Sequence, residues 1–319
     1  MDLIIKYRLQ LIITFILLLL IALFMILSPS TFLSPRIYTA YMSTIPFPGI
    51  MALGLTFVII SGEMDLSFPA VTAASGLAFS AVFIETGSTA AGFAAAMITG
   101  GACGILNAFL IVKIKVPSII ATIGTQFFIR GLTVLLAGGL AKNFAQIRDT
   151  AGYQLFSGKI LGTIPMQFVW FLLTSLLFFS ILNRHILGDR IRFAGDNAEA
   201  AAIMGIPVKH TKAAVFIIMG LCSGLSGVLI CSEMANWWPT QGEGYMLIVF
   251  ASVFIGGTSV FGGKGTIYGT FAGTIIISII EAGLVSSGAQ GFWTKLVYGI
   301  VLITAVSFYA LTSKPGKNY

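Results

Sequence analysis

Long runs of apolar residues constrain this chain more than any motif in it. Leu11 to Leu27 reads LIITFILLLLIALFMIL, with no charge and no polar residue except Thr14. Ten such segments can be traced, at about 9–27, 44–60, 68–84, 90–112, 118–138, 166–183, 213–232, 246–261, 266–285 and 292–311. A helix needs about 20 apolar residues to cross a hydrocarbon core of ~30 Å, so several of them are short for the task. Of the 319 residues, 57% are hydrophobic and only 9% are charged, where a soluble domain has about 25% charged. The expected fold class is all-α integral membrane: about ten transmembrane helices in a single domain over residues 1–319, with a cytoplasmic helix-bearing loop.

Lysine and arginine set the expected orientation. Ten spans put both termini on one side. The loops on that side carry Lys6, Arg8, Lys113, Lys115, Arg184, Arg190, Arg192, Lys209, Lys212, Lys264, Lys314 and Lys317. The opposite loops carry Arg36, Lys142, Arg148 and Lys159. Twelve against four makes the first set, and both termini, cytoplasmic. The first apolar run follows Lys6 and Arg8 as a signal peptide would. It is long, and ILSPSTF after it offers no small-residue cleavage pattern, so it reads as an uncleaved first span.

The same composition excludes several function classes. The net charge of +7 is explained by this inside bias and suggests membrane lipid as a partner, not nucleic acid. Cys103, Cys222 and Cys231 lie in apolar runs and read as small buried side chains. His185 and His210 have no partner ligands nearby, so no metal and no cofactor is expected. GGTSVFGGKGT, from Gly256 to Thr266, invites comparison with a phosphate loop, G-x-x-x-x-G-K-[ST]. Lys264 follows Gly263 as required, but Thr258 stands where the first glycine belongs and Gly265 where the hydroxyl belongs. No nucleophile and base form a set, so no catalytic residue is expected.

Within the spans, Gly100-x-x-x-Gly104-x-x-x-Ala108, Gly220-x-x-x-Gly224 and Gly269-x-x-x-Gly273 are faces on which helix backbones can meet. VIISGEMDLSFPAVTAASG and VFIGGTSVFGGKGTIYGTFAG form a faint repeat, an apolar run ending in a glycine-rich polar break. Ser67 can cap the helix that follows the first break, with Pro69 in its first turn and Asp65 near its positive end. Asn107, Gln126, Arg130 and Glu281 are the intramembrane polar residues that stand out. Arg130 and Glu281 fall at similar depths, which suggests that they pair or meet the pathway together. Trp237 and Trp238 are expected in an interfacial belt; a sugar-stacking mouth is the alternative.

The longest polar segment, Asn183 to Lys212, contains a short helix with readable ends. Asp196 can cap it, with Glu199 as reciprocal partner. An alanine run continues it, and Gly205 and Pro207 stop it. Two turns are unstable alone in water, so it must dock, either on its own bundle or on a cytoplasmic partner.

Several stretches together resemble one family. FAGDNAEAAAIMGIPVKHTKAAVFIIMGLCSGLSGVLI is similar to the cytoplasmic loop and following helix of the monosaccharide-type permeases of bacterial ABC importers. GEMDLSFPAV, KVPSIIATIGTQFFIRG and FIGGTSVFGGKGT resemble other segments of these permeases, in order along nearly the whole chain. The resemblance implies a bacterial inner-membrane subunit forming the pathway for a sugar or similar small polar solute. It implies a separate cytoplasmic ATP-binding subunit, a periplasmic solute-binding protein and a second permease subunit, identical or different. Gly195, Asp196, Asn197, Glu199, Ala200, Ala201 and Gly205 would then couple to the ATPase. Asp65 and Ser67 would be motif residues. Gly262, Gly263 and Lys264 would form a tight turn with no ATP site, since the resemblance puts ATP on another chain; contact of this loop with that chain is the alternative. One departure is visible: after GEGY the family commonly has acidic residues, where this chain has Met246, Leu247, Ile248 and Val249. The rival class is an ion-coupled secondary transporter, which would want carboxylates in the spans, where only Glu281 qualifies. A non-transporting scaffold is a third reading.

Overall fold

The computed structural model describes residues 8–288, 290 and 292–312; Lys6, Lys314 and Lys317 lie outside them. The chain is helical almost throughout. Each of the ten apolar segments coincides with a helix. Among the described residues, seven helices are long and apolar enough to cross a membrane, and an eighth crossing is made if one bent pair counts as a span. Two further segments lie on helices outside that set, Tyr245–Ile255, which is shorter, and the final helix, whose described stretch Phe292–Thr304 is apolar.

Helix α1 is Arg8–Leu27, followed by a single turn, α2, at Pro29–Phe32. Helices α3 (Pro35–Thr44) and α4 (Pro46–Ile60) meet at a bend of 48°. Pro46 accounts for the bend, because its ring removes a backbone donor and crowds the preceding turn. Next come α5 (Phe68–Thr86) and α6 (Thr89–Ala108), which runs on as a π-helical turn, Phe109–Lys113. After α7 (Ser118–Ala137), an excursion carries strand β1 (Lys142–Asn143), a 3₁₀ turn, α8 (Ala151–Ser157) and a small hairpin of β2 (Lys159–Ile160) with β3 (Ile164–Pro165). Helix α9 is Met166–Arg184, α10 is Ile186–Asp196 and α11 is Ala198–Ile203. The 27-residue α12 (Val208–Met234) leads to strand β4 (Asn236–Trp237), which pairs antiparallel with β1. Helices α13 (Tyr245–Ile255), α14 (Ile267–Ser286) and α15 (Phe292–Thr312) complete the bundle.

Helix α4 is the axis of the fold. Every one of its fifteen residues is buried, enclosed by α9, α12, α13 and α14. Its sequence is apolar on all sides, which suits a helix surrounded by other helices. The outer faces of α1 and α7 carry exposed apolar side chains such as Phe15, Phe127 and Leu135, as a lipid-facing surface requires.

The glycine faces pack as their spacing suggests. Helices α6 and α12 cross so closely that a Cβ added at Gly220 would lie 2.1 Å from the Gly100 carbonyl oxygen, and one at Gly104 would lie 2.5 Å from that of Phe216. Gly269 and Gly273 bring α14 equally close to α13, at the Gly256 and Ser252 carbonyls. Gly220→Val is therefore expected to destabilise the protein by about 3 kcal/mol, the upper end for overpacking, because backbone cannot move aside. Gly101→Ala is the control, since its Cβ would meet only Leu221 at 3.6 Å. Thermal unfolding in detergent, followed by tryptophan fluorescence, should separate the two variants.

The faint repeat has a local basis. Helices α4 and α13 end alike: Gly62 donates to the Ile59 carbonyl and Glu63 to Val58, as Gly257 donates to Phe254 and Thr258 to Val253. Gly62 and Gly257 both take positive φ, +80° and +83°, the left-handed stop that glycine adopts without strain. The fold-level repeat is another one. Helix α5 packs on α6, α7 and α12, and α13 packs on α14, α15 and α4. This relates α4–α7 to α12–α15 with reversed direction: α4 ends, but α12 begins, at the end of the bundle where Glu63 meets Lys212. The corresponding breaks are residues 61–67 and 235–244.

Candidate functional site

The first break folds inward. Met64 N–H donates to Ser118 Oγ at 3.2 Å, at the start of α7. Seven residues along α7, Thr125 donates to Asn107 Oδ1 at 2.7 Å, and Asn107 Nδ2 donates to Ser67 Oγ at 2.7 Å. Ser67 in turn donates its N–H and its O–H to Asp65 Oδ1, at 2.7 and 2.6 Å. Gln126 Oε1 accepts from the Ala70 N–H at 3.3 Å. At ~1.5 Å of rise per residue, α5 thus begins ~10 Å deep along α7. Asp65 is 2% exposed, and a carboxylate so placed needs the two donors it receives. The expected cap is corrected: Ser67 occupies the N-cap position, but its hydroxyl makes no cap bond and serves Asp65 and Asn107. Pro69 does stand in the first turn.

The second break folds inward from the other end. Trp237 is fully buried and donates Nε1 to the Ala73 carbonyl at 2.8 Å. This overturns the interfacial-belt expectation for Trp237; Trp238 is half-buried. Gln241 is also fully buried, against Cys231 Sγ at 3.4 Å. A Cβ on Gly242 would lie 2.5 Å from the Pro69 carbonyl oxygen, so this segment reaches the first turn of α5 before α13 starts at Tyr245.

Arg130 joins the second break to the first turn of α5, which follows the first break. Nη1 donates to the carbonyls of Pro239 at 2.7 Å and Gln241 at 2.9 Å, and Nη2 donates to that of Pro69 at 3.2 Å. The expected pairing with Glu281 is not formed: the ion pairs among the described residues are Arg192–Asp189 and Lys212–Glu63. Glu281 instead accepts from the Tyr298 hydroxyl at 2.7 Å. Backbone carbonyls suffice for the guanidinium because its planar fork matches several acceptors at once.

A second cluster lies where α4 ends. A Cβ at Gly195 would sit 1.7 Å from the Ile60 carbonyl oxygen, and Gly263 N–H donates to that same oxygen at 2.8 Å. The turn at Gly262 and Gly263 thus packs backbone to backbone against α4 and α10, with Lys264 exposed beside it. This is a structural role for the glycines, consistent with the failed phosphate-loop match. Asn197, not Asp196, caps α11: its Oδ1 accepts from the N–H of Glu199 at 3.1 Å and of Ala200 at 3.0 Å. Asp196 is the last residue of α10, a helix that no apolar run marks in the sequence. Gly205 ends α11 with φ +81° as expected. Glu199, Ala200 and Gly205 are exposed, but Ala201 is fully buried. Ala201 therefore packs on its own bundle. Ile203, 88% exposed, and Met204, 65% exposed, form the apolar tip; the only sequence signal for them was their place between the alanine run and Gly205.

The chain matches the model of a family described as branched-chain amino acid transport system / permease component, over residues 37–306. It is 34% identical to the ribose import permease protein of Bacillus subtilis over 282 residues, covering 88% of this chain and 86% of that one. It is 33% identical to the ribose import permease protein of Escherichia coli K12, covering 91% and 90%, and 32% identical to the D-allose transport system permease protein of the same strain, covering 94% and 91%. No solved structure matches the chain significantly.

Proposed function

The chain belongs to the branched-chain amino acid transport system / permease component family, and on that premise we propose that it forms the membrane pathway of a bacterial ABC importer for a monosaccharide. The observation that carries this is the end-to-end identity with permeases named for ribose and allose, which favours a sugar over the amino acid in the family's description. The chain acts as one multi-pass transmembrane domain of the inner membrane. All ten apolar segments enter the bilayer, with α13 completing its crossing through the adjoining non-helical segments. Both termini, Lys113 and Lys264 lie in the cytoplasm, and Lys142 and Lys159 outside.

Hydrolysis of ATP belongs to a separate cytoplasmic subunit, and delivery of solute to a periplasmic binding protein. Two permease chains complete the pathway. Helix α11, with Glu199, Ala200, Gly205 and the exposed Ile203 and Met204, docks on the ATPase. Gly195, Asp196, Asn197 and Ala201 hold that helix to the bundle, and Gly262, Gly263 and Lys264 brace its base. Asp65, Ser67, Asn107, Gln126 and Arg130 fix the two inward breaks, and Glu281 borders the route.

The test is ATP-dependent uptake of labelled D-ribose, L-arabinose and D-allose by proteoliposomes holding the permease, its ATPase and its binding protein. Uptake of at least one sugar is expected. Uptake of none of them, or uptake driven by an ion gradient without ATP, would refute the reading. Orientation has its own check. Cysteines introduced at 264 and 142 should be labelled by a membrane-impermeant maleimide in intact spheroplasts only at 142.

A further inference from the structure

A cavity lies beside Glu281, near the end of α14. Its volume is about 390 Å³, within the range of ~300–1,000 Å³ of small-molecule sites. Tyr41, Thr44, Phe47, Tyr245, Ser278 and Glu281 line it, among other, mostly apolar, residues from α3, α4, α12, α13 and α14. Its lining holds one carboxylate and no lysine, arginine or histidine.

The polar groups around it are incompletely matched. Among the described residues Glu281 receives one donor, the Tyr298 hydroxyl, and an ionised carboxylate accepts more than one. The Tyr41 hydroxyl is buried and has no hydrogen-bond partner among the described residues. Thr44 and Ser278 donate their hydroxyl protons to the carbonyls of Ala40 and Thr274, at 3.1 and 3.0 Å, so their oxygens remain as acceptors. A carboxylate within a membrane is costly and by default marks a functional site.

We propose that this cavity is a station on the solute route, holding a neutral, hydroxyl-rich solute with Glu281 and Tyr41 as its principal polar contacts. The inference rests on the permease reading and names where, and by what chemistry, the solute is held. Sugar hydroxyls donate to Glu281, Thr44 and Ser278 and accept from Tyr41. The C–H faces lie against the apolar wall that includes Phe47, which is buried. An anionic solute is disfavoured, because the carboxylate has no facing cation. The location agrees: Glu281 lies ~21 Å along α14 from Ile267, in the half of the bundle away from Lys264, where a solute delivered from outside would enter.

The experiment uses the complete importer in proteoliposomes with saturating, solute-loaded binding protein. The probe is whichever of D-ribose, L-arabinose and D-allose the wild type takes up fastest. Glu281→Gln is expected to lower sugar delivered per ATP hydrolysed about tenfold, the scale of losing hydrogen bonds to a charged group, with binding-protein-stimulated ATP hydrolysis retained. Tyr41→Phe should lower it a few-fold. Ser278→Trp, which fills the cavity, should block uptake while stimulated hydrolysis persists. Wild-type coupling in Ser278→Trp or in Glu281→Gln would overturn the proposal. So would a parallel loss of hydrolysis and melting temperature in all three variants, which marks a structural role. If an amine-bearing analogue depends on Glu281 and the neutral sugar does not, the solute class is wrong. Failure of the wild-type importer with all three sugars would instead overturn the permease reading, and this inference with it.

Discussion

Arg130→Leu is expected to abolish uptake and to destabilise the protein by about 2–5 kcal/mol. The guanidinium supplies the Nη1 donor for the carbonyls of both Pro239 and Gln241, and Nη2 reaches that of Pro69. Without it, buried carbonyls lose their donor, at about 1–3 kcal/mol each. The functional loss should exceed the loss of stability, because Arg130 is the contact that fixes one inward break against the other. Arg130→Lys keeps the charge but offers a point donor in place of a planar fork, so it should recover only part of both losses. The Arg130→Gln and Glu281→Gln effects on melting temperature should be additive, because the two side chains share no partner. A coupling above about 0.5 kcal/mol in that cycle would restore the charge-pair idea that the structure removes. A wild-type melting temperature for Arg130→Leu would show that the three carbonyl contacts carry no weight.

Ile203→Asp and Ala201→Arg are expected to fail in different ways. Ile203 is 88% exposed at the tip of α11 and Ala201 is fully buried beneath it. If α11 docks on an ATPase, a charge at Ile203 should reduce coupled uptake and stimulated ATP hydrolysis at least tenfold, while the melting temperature of the isolated permease is unchanged. Arginine at Ala201 has no room and no partner for its charge. It should lift α11 from the bundle and cost about 3 kcal/mol or more in the isolated permease, with loss of coupling as a consequence. Equal melting temperatures for the two variants would contradict the burial. Full coupling in Ile203→Asp would remove α11 from the interface.

Some of the site was legible because it depends on local signals. The stop at Gly205 follows from a left-handed conformation that glycine adopts readily, and Gly205 takes that conformation just past the end of α11. The cap shifted by one residue, from Asp196 to Asn197. Both are good capping types, and the choice depended on where α10 ended. Nothing in the apolar pattern announced α10, since its charged residues made it read as loop. The glycine loop departs from a phosphate loop at Thr258 and Gly265. Its positive role, backbone contact with Ile60 and Gly195, required three distant segments to be placed together.

The sequence by itself determined that this chain is a membrane helix bundle, where its apolar segments fall, and which glycines let helices touch. Those properties follow from chain length, hydropathy and side-chain size, and they survive any arrangement of the helices. Only the tertiary structure decided which residues face inward. In a bilayer the outside of a bundle is as apolar as its inside, so periodicity does not separate the wholly buried α4 from the lipid-facing flank of α7. Only the tertiary structure paired Arg130 with carbonyl oxygens, because backbone acceptors carry no residue identity for a sequence to display. It also turned Trp237 and the two polar breaks into the core. A break in an apolar run reads the same whether water or a neighbouring helix satisfies its backbone, and the packing of the whole bundle makes that choice.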